Sequence, residues 1–284
     1  MYLEPLNIEN LLNQSTFSKD DITYLLNIKE ESDKNLLLQR SKQLEEKYSL
    51  TSVNSYGLIE ISTHCSENCT YCRLRKDNKE ILRERMNRER IIEIAKEINK
   101  SGIKSIVIRS GYDDFYDQDR IAYIIYSIKK HADVEIMLSF GERTYEEYKE
   151  WKIAGASGYR LRFKSSNQDI YNSLNAHGSF EERIKHIDQL KMLGYQVCSG
   201  SIIGLPEQTD MDIANDICLC KHLNLDIAEF LPFSSQNNTP LQNNKPCSEE
   251  KTKCITAVVR IVLKDIVRCS KPKYSYSLEN DIVS

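Results

Sequence analysis

No apolar run in this chain approaches the roughly 18 residues that a membrane-spanning helix requires, so nothing in the sequence asks for a bilayer. The opening residues, Met1-Tyr-Leu-Glu-Pro5, also lack the basic-then-apolar order of an export signal. Neither sign of charge dominates. The 39 Lys and Arg stand against 42 Asp and Glu, a net of −3, which gives no electrostatic pull toward nucleic acid or an anionic surface. A disulfide framework is not expected either: the nine cysteines are odd in number, and 284 residues with 40% hydrophobic content need no covalent staples. The expectation is a cytoplasmic protein with reduced thiols and with neither nucleic acid nor membrane among its partners.

What is present is a short, cysteine-rich string. Cys65-Ser-Glu-Asn-Cys69-Thr-Tyr71-Cys72 follows directly on the apolar run Gly57-Leu-Ile-Glu-Ile61. Three thiolates at this C-x3-C-x2-C spacing can hold three irons of a 4Fe–4S cluster and leave the fourth without a protein ligand. A catalytic metal keeps an open position of this kind, whereas a purely electron-transferring cluster would want a fourth cysteine. The alternative is zinc, with His64 as the fourth ligand. Its place beside Cys65 makes tetrahedral closure awkward, and no Cys or His pair at finger spacing follows. Cys198, Cys218, Cys220, Cys247, Cys254 and Cys269 show no compact ligand spacing. They read as small buried hydrophobes or free thiols.

Residues 1–50 read as a charged, helical N-terminal segment, with a helix start at Ser18-Lys-Asp-Asp21 and an amphipathic stretch from about Asp33 to Tyr48. Strands are then predicted at 58–62, 105–109, 135–139, 158–163, 196–203 and 226–231. Helices are expected at 88–100, 117–131, 144–154, 180–193, 209–222 and 248–265. Thr144-x-x-Glu147 and Ser179-x-x-Glu182 have capping-box form. Strict alternation argues for parallel strands covered by helices. The fold class expected is α/β, a partial (β/α)6 TIM-type barrel over residues 51–265. The expected barrel lacks the last β/α units and ends in a polar tail at 266–284.

Chemistry in such barrels sits at the C-terminal ends of the strands, and the cysteine loop follows the first strand. The other strand ends are polar or glycine-rich: Arg109-Ser110-Gly111-Tyr112-Asp113, Ser139-Phe-Gly141-Glu142, Gly200-Ser-Ile-Ile-Gly204-Leu-Pro206 and Pro232-Phe-Ser-Ser235. Strand four brings Arg160 and Arg162 to one face by period-two geometry. A guanidinium fork matches a substrate carboxylate; a salt bridge at the rim is the alternative, and an equal one for Arg160. Glu142 can accept hydrogen bonds from an ammonium group or cap the helix that follows.

The cysteine spacing, with an aromatic residue before the last cysteine, resembles the signature of radical S-adenosylmethionine (SAM) enzymes. Further segments resemble the HydE family of FeFe-hydrogenase maturases, whose relatives include biotin synthase and methylornithine synthase. They are Cys72-Arg-Leu-Arg-Lys-Asp-Asn78, Ser110-Gly-Tyr-Asp-Asp-Phe-Tyr116, Ser139-Phe-Gly-Glu142, Ser179-Phe-Glu-Glu-Arg183, Gly200-Ser-Ile-Ile-Gly-Leu-Pro206 and Asn238-Thr-Pro-Leu241. The resemblance implies a 4Fe–4S cluster on Cys65, Cys69 and Cys72, and reductive cleavage of SAM to a 5′-deoxyadenosyl radical. It also implies SAM held by Tyr71, Ser110, Glu142 and Arg183, with Arg162 facing a small substrate, for HydE a cysteine-bound iron carbonyl/cyanide complex. The partners implied are a reductase or ferredoxin as electron donor and other hydrogenase maturases. Two positions depart from the pattern: Tyr112 stands where the family carries Glu, and Lys164 where it carries a carboxylate near the SAM ribose. They keep two alternatives open, a biotin synthase- or methylornithine synthase-like enzyme with another substrate, and a truncated, non-catalytic cluster-binding paralogue.

Overall fold

The computed structural model describes residues 8–48, 55–175, 177–264, 266–268, 272–277 and 280–283. The opening Met1–Pro5, the boundary near residue 50 and Cys269 lie outside the described residues. Three N-terminal helices come first: α1 (Ile8–Leu12), α2 (Lys19–Leu26) and α3 (Glu31–Tyr48). Strands and helices then alternate as β1 (Gly57–Glu60), α4 (Arg88–Lys100), β2 (Ser105–Arg109), α5 (Gln118–His131), β3 (Glu135–Ser139) and α6 (Tyr145–Ala154). The alternation continues through β4 (Gly158–Arg160), α7 (Gln168–Leu174), α8 (Phe180–Met192), β5 (Gln196–Ile203), α9 (Asp210–His222), β6 (Ile227–Pro232) and α10 (Glu249–Val262). Three short strands close the chain: β7 (Val267–Arg268), β8 (Tyr274–Ser277) and β9 (Asn280–Val283).

All strands from β1 to β7 pair in parallel in sequential order, and β8 adds in parallel on the other side of β1. Only β9 runs antiparallel, as a hairpin with β8. Among the described residues the sheet stays open between β7 and β9, so the fold is an α/β partial TIM barrel. The helices bury one stripe each. In α4 it is Ile91, Ile94, Ala95 and Ile98, and in α5 Ile121, Ile124, Ile125 and Ile128, the spacing of a single helical face. Each such isoleucine contributes roughly 1.5–3 kcal/mol by leaving water. No described helix is long and apolar enough to cross a membrane.

The region expected as a polar tail is not outside the sheet. Tyr274-Ser-Tyr276-Ser277 alternates with the period of a strand, and Tyr276 turns into the main core. Strand β8 pairs in parallel with β1, so part of this region extends the sheet of the partial barrel. Strand β4 is shorter than its expected span. Phe163 donates its backbone N–H to Ser199 Oγ at 3.2 Å instead of to a backbone carbonyl, and Lys164 turns left-handed at φ 71°. The ladder breaks there, although Lys164 still bridges to Ser201 on β5. Helix α7, capped by Asn167, lies where no element was expected.

The N-terminal helices dock on the outer layer, α3 on α10 and α2 on α9. Lys34 pairs with Glu250 at 2.8 Å, and Arg260 reaches Glu45 at 2.9 Å and Ser41 at 2.8 Å. Helix α8 starts with the capping box expected from the sequence, Ser179 Oγ accepting from Glu182 N at 3.1 Å and Glu182 Oε2 from Ser179 N at 2.8 Å. Replacing Ser179 by Ala should cost about 1 kcal/mol. Urea denaturation should show it as a lower midpoint at unchanged slope.

Candidate active site

The cysteine loop leaves the C-terminal end of β1 and is tied down by backbone contacts, not by a core of its own. Its main fastener is Arg83. The guanidinium donates to the carbonyls of Thr63, Leu74 at 2.9 Å, Arg75 at 2.7 Å and Asn78 at 3.0 Å, so one cation gathers both ends of the loop. A second anchor is Asp113, which accepts from Ser62 Oγ at 2.6 Å and from Arg85 Nε and Nη2 at 2.8 and 2.9 Å. Burial opposes the charge on Asp113, but these donors outweigh it and hold the carboxyl below its ordinary pKa. Ser62 Oγ in turn accepts from His64 N at 3.0 Å, and Ser66 N donates to Tyr112 O at 2.9 Å. Gly111 lies directly under the loop: a Cβ there would fall 2.6 Å from Cys65 Cβ, so only glycine permits the approach.

Cys65, Cys69 and Cys72 are all half-buried and line one cavity of about 430 Å³ at the barrel mouth. Burial pushes the thiols of Cys65 and Cys72 above their usual pKa. Thiolates there call for a bound cation, which deprotonates a coordinating thiol outright. Among the described residues no three Cys, His, Asp or Glu side chains converge on a single point as one metal ion would need. One thiol per corner of an iron–sulfur cube makes no such demand, and Glu67 N already lies 3.5 Å from Cys65 Sγ.

Across the cavity, buried carboxylates organise the cations. Glu60 on β1 meets Arg109 at 3.2 Å and Arg73 at 3.4 Å. Glu229 on β6 meets Arg162 at 3.0 Å and Arg160 at 3.5 Å. Glu142 pairs with Arg183 at 2.8 Å, and Arg183 Nε also donates to Tyr171 Oη at 3.2 Å. Tyr112 lies flat over Gly141, leaving no room for a Cβ, and its hydroxyl accepts from Glu142 N at 2.9 Å. His177 bridges Glu142 Oε2 at 3.6 Å and Glu67 Oε1 at 3.7 Å.

Lys164 differs from these cations. Its ammonium sits 5.4 Å from the Tyr71 ring centroid and 6.0 Å from that of Tyr171, and donates to Asn175 Oδ1. Burial, then the charge of Arg183, lowers its pKa to about 7.

The structure thus gathers Cys65, Cys69, Cys72, Tyr71, Ser110, Arg162 and Arg183 around one cavity, with Glu142 paired to Arg183. Both Arg160 and Arg162 carry salt-bridge geometry, the alternative given equal weight for Arg160. Sequence reasoning missed Glu60, Glu229 and Arg83. The first two were visible as lone carboxylates inside buried apolar strands, whereas nothing in the sequence marks Arg83 among its neighbours.

Residues 59–219 match the model of the Radical SAM superfamily, a span that begins in β1 and includes all three cysteines. The chain belongs to this superfamily. It is 36% identical to the [FeFe] hydrogenase maturase subunit HydE of Thermotoga maritima over 89% of its own length and 73% of that protein. The 3-methylornithine synthase of Methanosarcina acetivorans is 25% identical over 89% of this chain and 73% of its own. A biotin synthase from Clostridium acetobutylicum is 26% identical over 90% of this chain and 80% of its own. The crystal structure of methylornithine synthase superposes with a TM-score of 0.84 at 21% identity, covering 92% of this chain and 77% of that one. The protein is a radical SAM enzyme similar to HydE, and membership of the superfamily implies a 4Fe–4S cluster and SAM.

The turn that carries Lys164 is anchored from behind by Asp216 on α9, whose Oδ1 accepts from Ser166 N and Oγ, both at 2.6 Å. Burial raises the Asp216 carboxyl from 3.8 to about 7. The folded state therefore holds this proton more tightly than the unfolded chain, so the stabilisation is complete below about pH 4 and fades as pH rises toward 7. Urea midpoints of the wild type should fall relative to those of Asp216→Asn between pH 5 and 7.5, because the variant lacks the titration. Parallel pH profiles would refute the assignment.

Proposed function

We propose that this chain is a HydE-like maturase acting in assembly of the FeFe-hydrogenase diiron cofactor, with its cluster on Cys65, Cys69 and Cys72. The observation that carries the reading is the convergence of three thiols and paired arginines on one barrel-mouth cavity, in a chain 36% identical to a HydE. When bound, the reduced cluster supplies the electron that cleaves SAM to a 5′-deoxyadenosyl radical. The protein's own work is binding, orientation and exclusion.

In this reading Arg183 binds the SAM carboxylate, its fork already oriented by Glu142 and Tyr171. Glu142 has a second oxygen directed at His177 and is the acceptor proposed for the SAM ammonium. Ser110 and Tyr71 flank the nucleoside. Arg162 faces the substrate, and Glu229 fixes its rotamer. A primary carbon radical takes hydrogen from whatever lies nearest, so holding the substrate in van der Waals reach decides the outcome. A reductase or ferredoxin in a reducing cytosol is the electron source, and other hydrogenase maturases are the proposed partners.

A second reading, a related enzyme with another small substrate, is favoured by one observation. Lys164 places an ammonium in the cavity where the resembled family carries a carboxylate.

Anaerobic reconstitution followed by dithionite and SAM should yield 5′-deoxyadenosine, assayed by chromatography. Cys69→Ala should reduce the yield to background, and full SAM cleavage by that variant would refute the ligand assignment. Product without any stimulation of hydrogenase maturation by the partner maturases would favour the second reading.

A further inference from the structure

Charge balance around the cavity isolates one group. Arg73 and Arg109 share Glu60, Arg160 and Arg162 share Glu229, and Arg183 has Glu142. Lys164 is as buried as the two most buried of these arginines, at 8% exposure against 7% for Arg160 and 4% for Arg183. Yet among the described residues no carboxylate lies within ion-pair distance of it. Its near neighbours are the faces of Tyr71 and Tyr171 and the amide oxygen of Asn175, a neutral acceptor. An ammonium left in such surroundings costs several kcal/mol unless a negative charge faces it. The groups that favour its charged form are Cys69 and Cys72, while Arg183 and Arg162 oppose it. Tyr71, under the ammonium, is one of the two residues between those cysteines in the loop, and Lys164 lines the same cavity as all three thiols.

We propose that Lys164 is the built-in counter-ion of the iron–sulfur cluster, raising its reduction potential and so making the electron easier to deliver. The assignment rests on the cluster reading above. Reduction adds one electron to a site already carrying the thiolate charges, and a protonated lysine in the same cavity stabilises the reduced form more than the oxidised one. The electron comes from an external low-potential donor, and no bond forms or breaks at the lysine. The left-handed backbone of Lys164, bridged to Ser201, and the Asn175 hydrogen bond hold the ammonium in place. That preorganisation is what an electrostatic tuning group requires.

The test is a redox titration of the reconstituted cluster without SAM, followed by electron paramagnetic resonance, in the full-length chain. Lys164→Gln should make the cluster about tenfold harder to reduce, 59 mV more negative for a one-electron couple, and Lys164→Arg should restore the wild-type potential. Asn175→Asp retains the lysine but gives it a carboxylate partner, and its potential should fall in the same direction. Iron and sulfide content should stay at the wild-type level in all three, since none touches a thiolate. A wild-type potential in either Lys164→Gln or Asn175→Asp overturns the proposal, as does loss of cluster content in both, which would make the lysine a structural support. A wild-type chain that assembles no cluster would instead defeat the cluster reading, and this assignment with it.

Discussion

Burying a guanidinium costs several kcal/mol unless a carboxylate meets it, and of the five arginines that the barrel mouth brings to a single cavity, Arg160 and Arg183 are buried. The geometry of the site follows from how that cost is met. Glu60 comes from β1 and meets Arg109 of the adjacent β2 and Arg73 of the cysteine loop, whereas Glu229 comes from β6 and reaches across β5 to Arg160 and Arg162. Glu142 meets a single arginine, Arg183, which arrives from α8. These ion pairs add little net stability over a hydrophobic mouth. Their consequence is orientation, since each fork is held in one rotamer before any ligand enters. Removing a carboxylate would strand its arginines.

The cysteine loop obeys a different constraint. It carries few apolar residues, so it cannot fold on hydrophobic burial and depends on neighbours for its shape. Arg83 collects four of its carbonyls, Asp113 holds its first turn through Ser62, and Thr70 N and Oγ1 reach the carbonyls of Leu174 and Ser173 at the end of α7, at 3.0 and 3.1 Å. The shape of this loop is therefore set by polar contacts to its neighbours rather than by burial.

Much of the frame was legible because it is written in short-range periodicity. The spans of β2, β3 and β5 and of α4 match their expected limits, and the capping boxes at Thr144 and Ser179 form as spaced. What was not legible depends on contacts distant in sequence. Strand β8 carries two tyrosines and two serines, too polar to announce itself, and becomes a strand because β1 offers it an edge. The end of β4 was overextended because Arg160-Leu-Arg-Phe163 alternates like a strand, while the break is set by Ser199 intercepting one N–H. For the site, spacing was sufficient to single out the three cysteines. The partners of Arg162 and Lys164 lie on other strands and helices, and no local pattern encodes them.

An open sheet edge and a radical chemistry make conflicting demands, and the loop after β6 meets part of both. Phe233, Ser234 and Gln236 line the cavity, and Cys247 N donates to Phe233 O at 2.9 Å, returning the chain to α10. Leu241 N reaches Thr70 O at 3.4 Å, which connects this loop to the cysteine loop across the mouth. Beneath the contact lies a small apolar cluster of Ile170, Leu174, Ile202, Leu205 and Phe233, against which Tyr71 and Leu241 pack. It joins α7, β5 and both loops into one unit beside the cavity. Apolar burial here stabilises a wall rather than a core. Tyr71, packed against this wall, lies 5.4 Å from the Lys164 ammonium, so the packing beside the cavity also positions the aromatic face under that charge.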